Sequence, residues 1–171
     1  MAERSGAALG LSRLLLRVFV VFNLAMGAVL VAGFVGSFVF EGVVSRWMRS
    51  EGIDVSLMLP TLRVWLLLSL PFVAAMHVLL TKTLEILKTV RMGGPFVAEN
   101  AARLRIMAWC LLAMQVLHLA NGVMVKISTA AGARMDWSFT LTGWLAVLLL
   151  FVLAGVFEEG ARLRADLEAM I

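Results

Sequence analysis

Six uncharged or weakly basic polar side chains stand inside otherwise apolar runs of this sequence: Asn23, Ser69, His77, Gln115, His118 and Asn121. A polar group in hydrocarbon is costly unless paired, so it faces other helices or a cavity. Three of the six fall in one stretch, "AMQVLHLAN", residues 113–121, at intervals of three. On a helix that spacing sets Gln115 and His118 side by side, with Asn121 a modest turn round the same face. Two kinds of chemistry fit. The groups can hydrogen-bond between helices, worth about 0.6–2 kcal/mol per contact, or they can line a small cavity for a ligand, a water or a proton. On the second reading the candidate ligand-binding residues are Gln115, His118, Asn121, Asn23 and His77.

Two histidines on neighbouring apolar runs raise the possibility of a haem with His77 and His118 as axial ligands. Depth argues against it. His77 precedes Lys82 by five residues and His118 follows Arg105 by thirteen, which is about 7 Å and roughly 20 Å of helical rise. Two ligands of one iron need nearly equal depth, and an offset of ~12 Å at that rise denies it. Zinc lacks a third and a fourth ligand. Nucleophile-elbow, phosphate-loop and zinc-protease motifs are missing from the sequence. None of the apolar runs carries the buried carboxylate or lysine expected of a proton pump or a retinal protein. The expectation is a non-enzymatic protein without metal or cofactor. The single cysteine, Cys110, leaves no partner for an intrachain disulfide.

The elements that position these residues follow from composition. The chain is 62% apolar and 15% charged, with a mean hydropathy of +0.98, too apolar to coat a water-soluble globule. Four runs approach or exceed the ~20 residues a helix needs to cross hydrocarbon: residues 14–40, 62–80, 106–125 and 139–157. The expected fold is therefore all-α, a single integral membrane four-helix bundle. The first run, behind a basic segment, reads as an uncleaved signal anchor. Ten Lys and Arg side chains flank the two termini and the loop between spans two and three, against five on the other side. That bias places both termini in the cytoplasm of a bacterial inner membrane. It also accounts for the net charge of +4 without any direct binding of nucleic acid.

Between spans two and three, "KTLEILKTV" continues as helix beyond the lipid, with Glu85 and Lys88 spaced to pair. Gly93, Gly94 and Pro95 break it, and span three is expected to begin at Pro95. This makes a cytoplasmic helical hairpin. The closing segment carries Phe157, Leu163, Leu167 and Met170 at helical intervals, an amphipathic C-terminal helix that packs on the hairpin or lies along the headgroups. The stretch "EGVVSRWMRSEGIDVSLMLPT" is compatible with a short interfacial helix. Pro71 should kink span two. In span one, Ala28, Ala32 and Gly36 recur every four residues, with Gly33 and Ser37 one position along, a seam along which two backbones can approach within the bundle or between protomers.

Two stretches carry a resemblance. "GGPFVAENAARLR" (93–105) is similar to a G-x-P-F-x-x-E-N-x-x-x-L signature, through Gly93, Pro95, Phe96, Glu99, Asn100 and Leu104. "FVLAGVFEEGARLRADLEAMI" is similar to a closing V-F-x-x-G-x-x-L-x-x-D-x-E, through Val156, Phe157, Gly160, Leu163, Asp166 and Glu168. Both belong to a bacterial four-span membrane family catalogued as domain of unknown function 2975. Gly94 and the closing "AMI" depart from its pattern. Members often neighbour a small helix-turn-helix regulator, so the resemblance implies a membrane partner for a DNA-binding protein. The partner-binding candidates are then Pro95, Phe96, Glu99, Asn100, Arg103, Arg162 and Arg164, with Glu99 and Asn100 expected to cap or pair with the two tail arginines, or these patches simply lock hairpin to tail. Alternatives are a lipid, quinone or other apolar-ligand protein, and a small channel or transporter subunit. A chain this small is expected to form a homo-oligomer.

Overall fold

The computed structural model describes residues 2–92 and 94–169, with side chains from Gly10 onward; Gly93 and Met170, and the side chain of Arg4, lie outside the described residues. Five helices follow one another: α1 (Ala2–Val39), α2 (Glu41–Ser50), α3 (Val55–Arg91), α4 (Ala98–Ala130) and α5 (Leu141–Ala169). All but α2 are long and apolar enough to cross a membrane, and no strand occurs among the described residues. The protein is an all-α integral membrane protein with four spans. Each helix outruns its apolar stretch, because a helix need not end where the hydrocarbon does. The amphipathic tail is accordingly the direct continuation of α5, and α3 passes through Pro60 and Pro71 without interruption.

The four spans form an open bundle. They pack in chain order, α1 on α3, α3 on α4 and α4 on α5, and among the described residues α1 approaches neither α4 nor α5. The inward positions of α1 are Leu16, Val20, Asn23, Gly27, Leu30, Phe34 and Ser37. Their alternating steps of four and three are those of a left-handed coiled-coil seam. Gly27 makes the close approach: a β-carbon there would stand 3.2 Å from Val73 Cγ1. Ala28 and Ala32 are exposed, so the expected small-residue seam is not the one used within the bundle. Gly36 is half-buried and Ser37 buried, so the small residues turn inward only towards the end of α1.

One end of the bundle, the α2 end, is a tied cap. Met48, Met58, Leu59, Ala131 and Ala133 cluster there, and the Asp54 amide donates to the Ala131 carbonyl at 2.9 Å. Gly52 and Gly132 both have positive φ, 74° and 95°, and a side chain at Gly132 would press on the Gly52 carbonyl oxygen at 3.2 Å. Asp54 caps α3 by accepting from the Ser56 amide and hydroxyl, which lowers its carboxyl pKa. Arg63 joins α1 to α3 by donating to the Ser37 carbonyl at 2.9 Å and to Glu41 at 2.7 Å, with its guanidinium over the Phe38 ring.

Candidate functional site

A groove of about 540 Å³ runs between α1, α3 and α4. Met26 and Leu30 line it from α1, Trp65, Leu66, Phe72 and Val73 from α3, and Leu117 from α4; Ser69, His118 and Asn121 supply its polar atoms. Three consecutive helices can border one space only where their row curves. Its volume lies within the 300–1,000 Å³ typical of small-molecule sites.

The polar stripe of α4 divides around this groove. Steps of three residues rotate by about 60° each on an α-helix, so Gln115 and Asn121 end well apart. Gln115 turns to α5, where its amide occupies the space over Gly143; a β-carbon at Gly143 would fall 1.4 Å from Gln115 Nε2. His118 stands at the groove's edge with its ring 5.4 Å from that of Trp137, and its Nε2 is 3.3 Å from the Ser138 carbonyl oxygen. Trp137 covers Gly122 so closely that any side chain there would meet the indole at 2.7 Å. Asn121 lines the groove, and its Oδ1 is buried with no hydrogen-bond partner among the described residues. A buried carbonyl oxygen of this kind costs about 1–3 kcal/mol when left unpaired. The arrangement offers a largely apolar molecule one side-chain amide for hydrogen bonding.

The other candidates separate. Asn23, 8% exposed, donates to the Val73 carbonyl at 3.1 Å and holds α1 to α3. His77 lies outside the groove lining, with a buried Nδ1 that has no partner. No group of three or more His, Cys, Asp or Glu residues that could hold a metal occurs among the described residues. Trp65, Phe72, Trp137 and Ser138 escaped the sequence reading. An aromatic residue in an apolar run carries no periodic signal of its own, although Gly122, small and next to Asn121, marks where a large ring closes in.

The hairpin end has a different character. Asn100 is fully buried and fully bonded: its amide nitrogen donates to Thr89 Oγ1 at 2.7 Å and to the Pro95 carbonyl at 2.8 Å, and its carbonyl accepts from Arg103 Nη1 at 2.7 Å. Arg103 Nε also reaches Glu85 at 2.9 Å, and Lys82 holds the same carboxylate at 3.0 Å. Glu85 therefore pairs with these two rather than with Lys88, because it lies on α3 within reach of Arg103 on α4. The Pro95 turn accepts from Asn100, and α4 starts only at Ala98, three residues later than expected.

Phe96 packs on Phe157 with ring centres 5.1 Å apart, and a β-carbon at Gly160 would lie 2.9 Å from Phe96 Cδ1. Arg105 bridges to Glu158. The expected pairing of Glu99 and Asn100 with Arg162 and Arg164 does not form. Those arginines bond within their own helix, to Glu159 at 2.9 Å and Glu168 at 2.8 Å, since partners three and four residues away are already in reach. A cleft of about 520 Å³ remains between α4 and α5, bordered by Phe96, Glu99, Glu158, Arg162, Arg164 and Glu168.

Fold and site together define a multi-pass, all-helical membrane protein with an apolar groove and a braced hairpin. The model of the family described as "Protein of unknown function (DUF2975)" matches residues 43–171, and the chain belongs to that family. No match was found among the curated proteins or among the solved structures.

Proposed function

We propose that this protein is a non-enzymatic membrane sensor that takes an apolar, hydroxyl- or amine-bearing ligand into the α1–α3–α4 groove. The single observation behind the reading is Asn121: a buried amide oxygen without a hydrogen-bond partner among the described residues, on a side chain that lines a space of ligand size. On this reading the ligand donates a hydrogen bond to Asn121, stacks against Trp65 and Phe72, and meets His118 at the groove's edge. Mild detergent extraction followed by native mass spectrometry tests it. The wild-type chain should retain a non-covalent adduct, and Asn121→Leu should lose it while keeping its helicity. Bare wild-type protein would reject the reading.

The hairpin end supports a second part of the proposal, a cytoplasmic partner. The cleft bordered by Phe96, Glu99, Arg162, Arg164 and Glu168 carries charges of both signs at the surface, whereas Asn100 and Arg103 brace it from within. With both termini in the cytoplasm of a bacterial inner membrane, that cleft would engage the small helix-turn-helix regulator that the family resemblance implies. Reversing charge at Glu99 and Arg162 should then release the regulator from membranes. A regulator that stays soluble alongside the wild-type protein would remove this partner from the account.

A further inference from the structure

A third cleft, of about 340 Å³, lies at the hairpin end between the start of α1 and the last turns of α3. Arg13 borders it from α1, and Leu84, Leu87, Lys88 and Arg91 from α3, with Met92 beside them. Three cations thus share one space, and among the described residues no carboxylate lines it. The side chains of Arg13, Lys88 and Arg91 have no hydrogen-bond or ion-pair partner among the described residues, whereas Lys82, Arg103, Arg105, Arg162 and Arg164 at the same end are all engaged with carboxylates. Arg17, one turn along α1 from Arg13, is exposed and adds to the same positive potential. Like charges gathered in one cleft repel one another unless an anion sits among them.

We infer that this cleft binds the headgroup phosphate of an anionic phospholipid. The position selects a lipid over a free anion. Leu11, Leu14 and Leu15, which flank Arg13 on α1, are all exposed as lipid-facing residues are, so the guanidinium stands where the apolar surface begins, at headgroup depth. Leu84 and Leu87 offer the acyl chain an apolar wall immediately beside the cations. Basic recesses between membrane helices recognise lipid headgroups through this combination of charge and depth. The inference is independent of the groove ligand, which lies among other residues.

The test uses the full chain in detergent, offered equal amounts of phosphatidylglycerol and phosphatidylcholine, and reads bound lipid by native mass spectrometry. Wild type should retain the anionic lipid about tenfold or more over the zwitterionic one. The combined Arg13→Gln, Lys88→Gln, Arg91→Gln protein should lose that preference, and the charge-keeping Arg13→Lys, Arg91→Lys protein should retain it. Arg46→Gln with Arg49→Gln, at the α2 end, should leave it unchanged. Equal retention of both lipids by wild type, or an undiminished preference in the triple variant, would overturn the inference. So would inorganic phosphate bound in the cleft with phosphatidylglycerol unbound.

Discussion

Two asparagines on one helix have opposite surroundings. Asn100 is fully buried, with donors and acceptor all satisfied by Thr89, Pro95 and Arg103. Asn121, six turns along α4, buries its oxygen against nothing. Both are polar groups placed where a leucine would be less demanding. A satisfied buried network specifies one arrangement of the backbone; an unsatisfied buried group marks a place where something else completes it. The hairpin end is therefore read as architecture and the groove as a site, although sequence reasoning gave the two places similar standing.

The comparison breaks first, and most visibly, at Asn100. Asn100→Leu should strand the Pro95 carbonyl and part of Arg103, leave the Thr89 hydroxyl only its bond to the Ile86 carbonyl, and lower stability by about 3 kcal/mol, read as a fall in the unfolding midpoint in detergent. Gly160→Ala should come next. Its new β-carbon meets Phe96, and overpacking of this sort costs about 1–3 kcal/mol; because Phe96 is partly exposed and can give way, the lower end is expected, with faster proteolysis of the 92–98 turn. Gln115→Ala should be smaller still, about 0.6 kcal/mol as for other contacts between membrane helices, loosening α4 from α5 without affecting ligand retention. Ala28→Leu with Ala32→Leu should change the midpoint by about zero, because both positions face outward and exposed substitutions away from special features stay within roughly 0.5 kcal/mol. A clear change in oligomer size for that pair would instead place a second copy on this ridge.

Much of the fold was legible because hydropathy reports directly on hydrocarbon. The four spans, the break near Gly94 and Pro95, and the membership of the family all followed from local composition or motif. The continuation of α3 past the lipid to Arg91 followed too, whereas the starts of α3 at Val55 and of α4 at Ala98 did not, since only a backbone reports where a helix begins outside the hydrocarbon. The small-residue seam in α1 was right at Gly36 and Ser37 but not at Ala28 and Ala32, which are exposed, because choosing between adjoining helix faces requires knowing where α3 stands. The stripe on α4 was legible as polar but not as divided: its drift of about 60° per step matters only once α5 claims Gln115 and the groove claims Asn121. The meaning of the signature patches was likewise hidden. Phe96 lies some sixty residues from Phe157 and Gly160 in sequence, and the three explain one another only in contact.

The most direct test of this account is to compare the unfolding midpoints of ligand-free Asn121→Leu and Asn100→Leu proteins in the same detergent. Replacing an unpaired buried oxygen with an apolar group should leave the Asn121 variant as stable as wild type or more so, while the Asn100 variant falls by many degrees. A comparable fall in both would mean that Asn121 holds the helices together, and the groove would lose its claim to be a binding site.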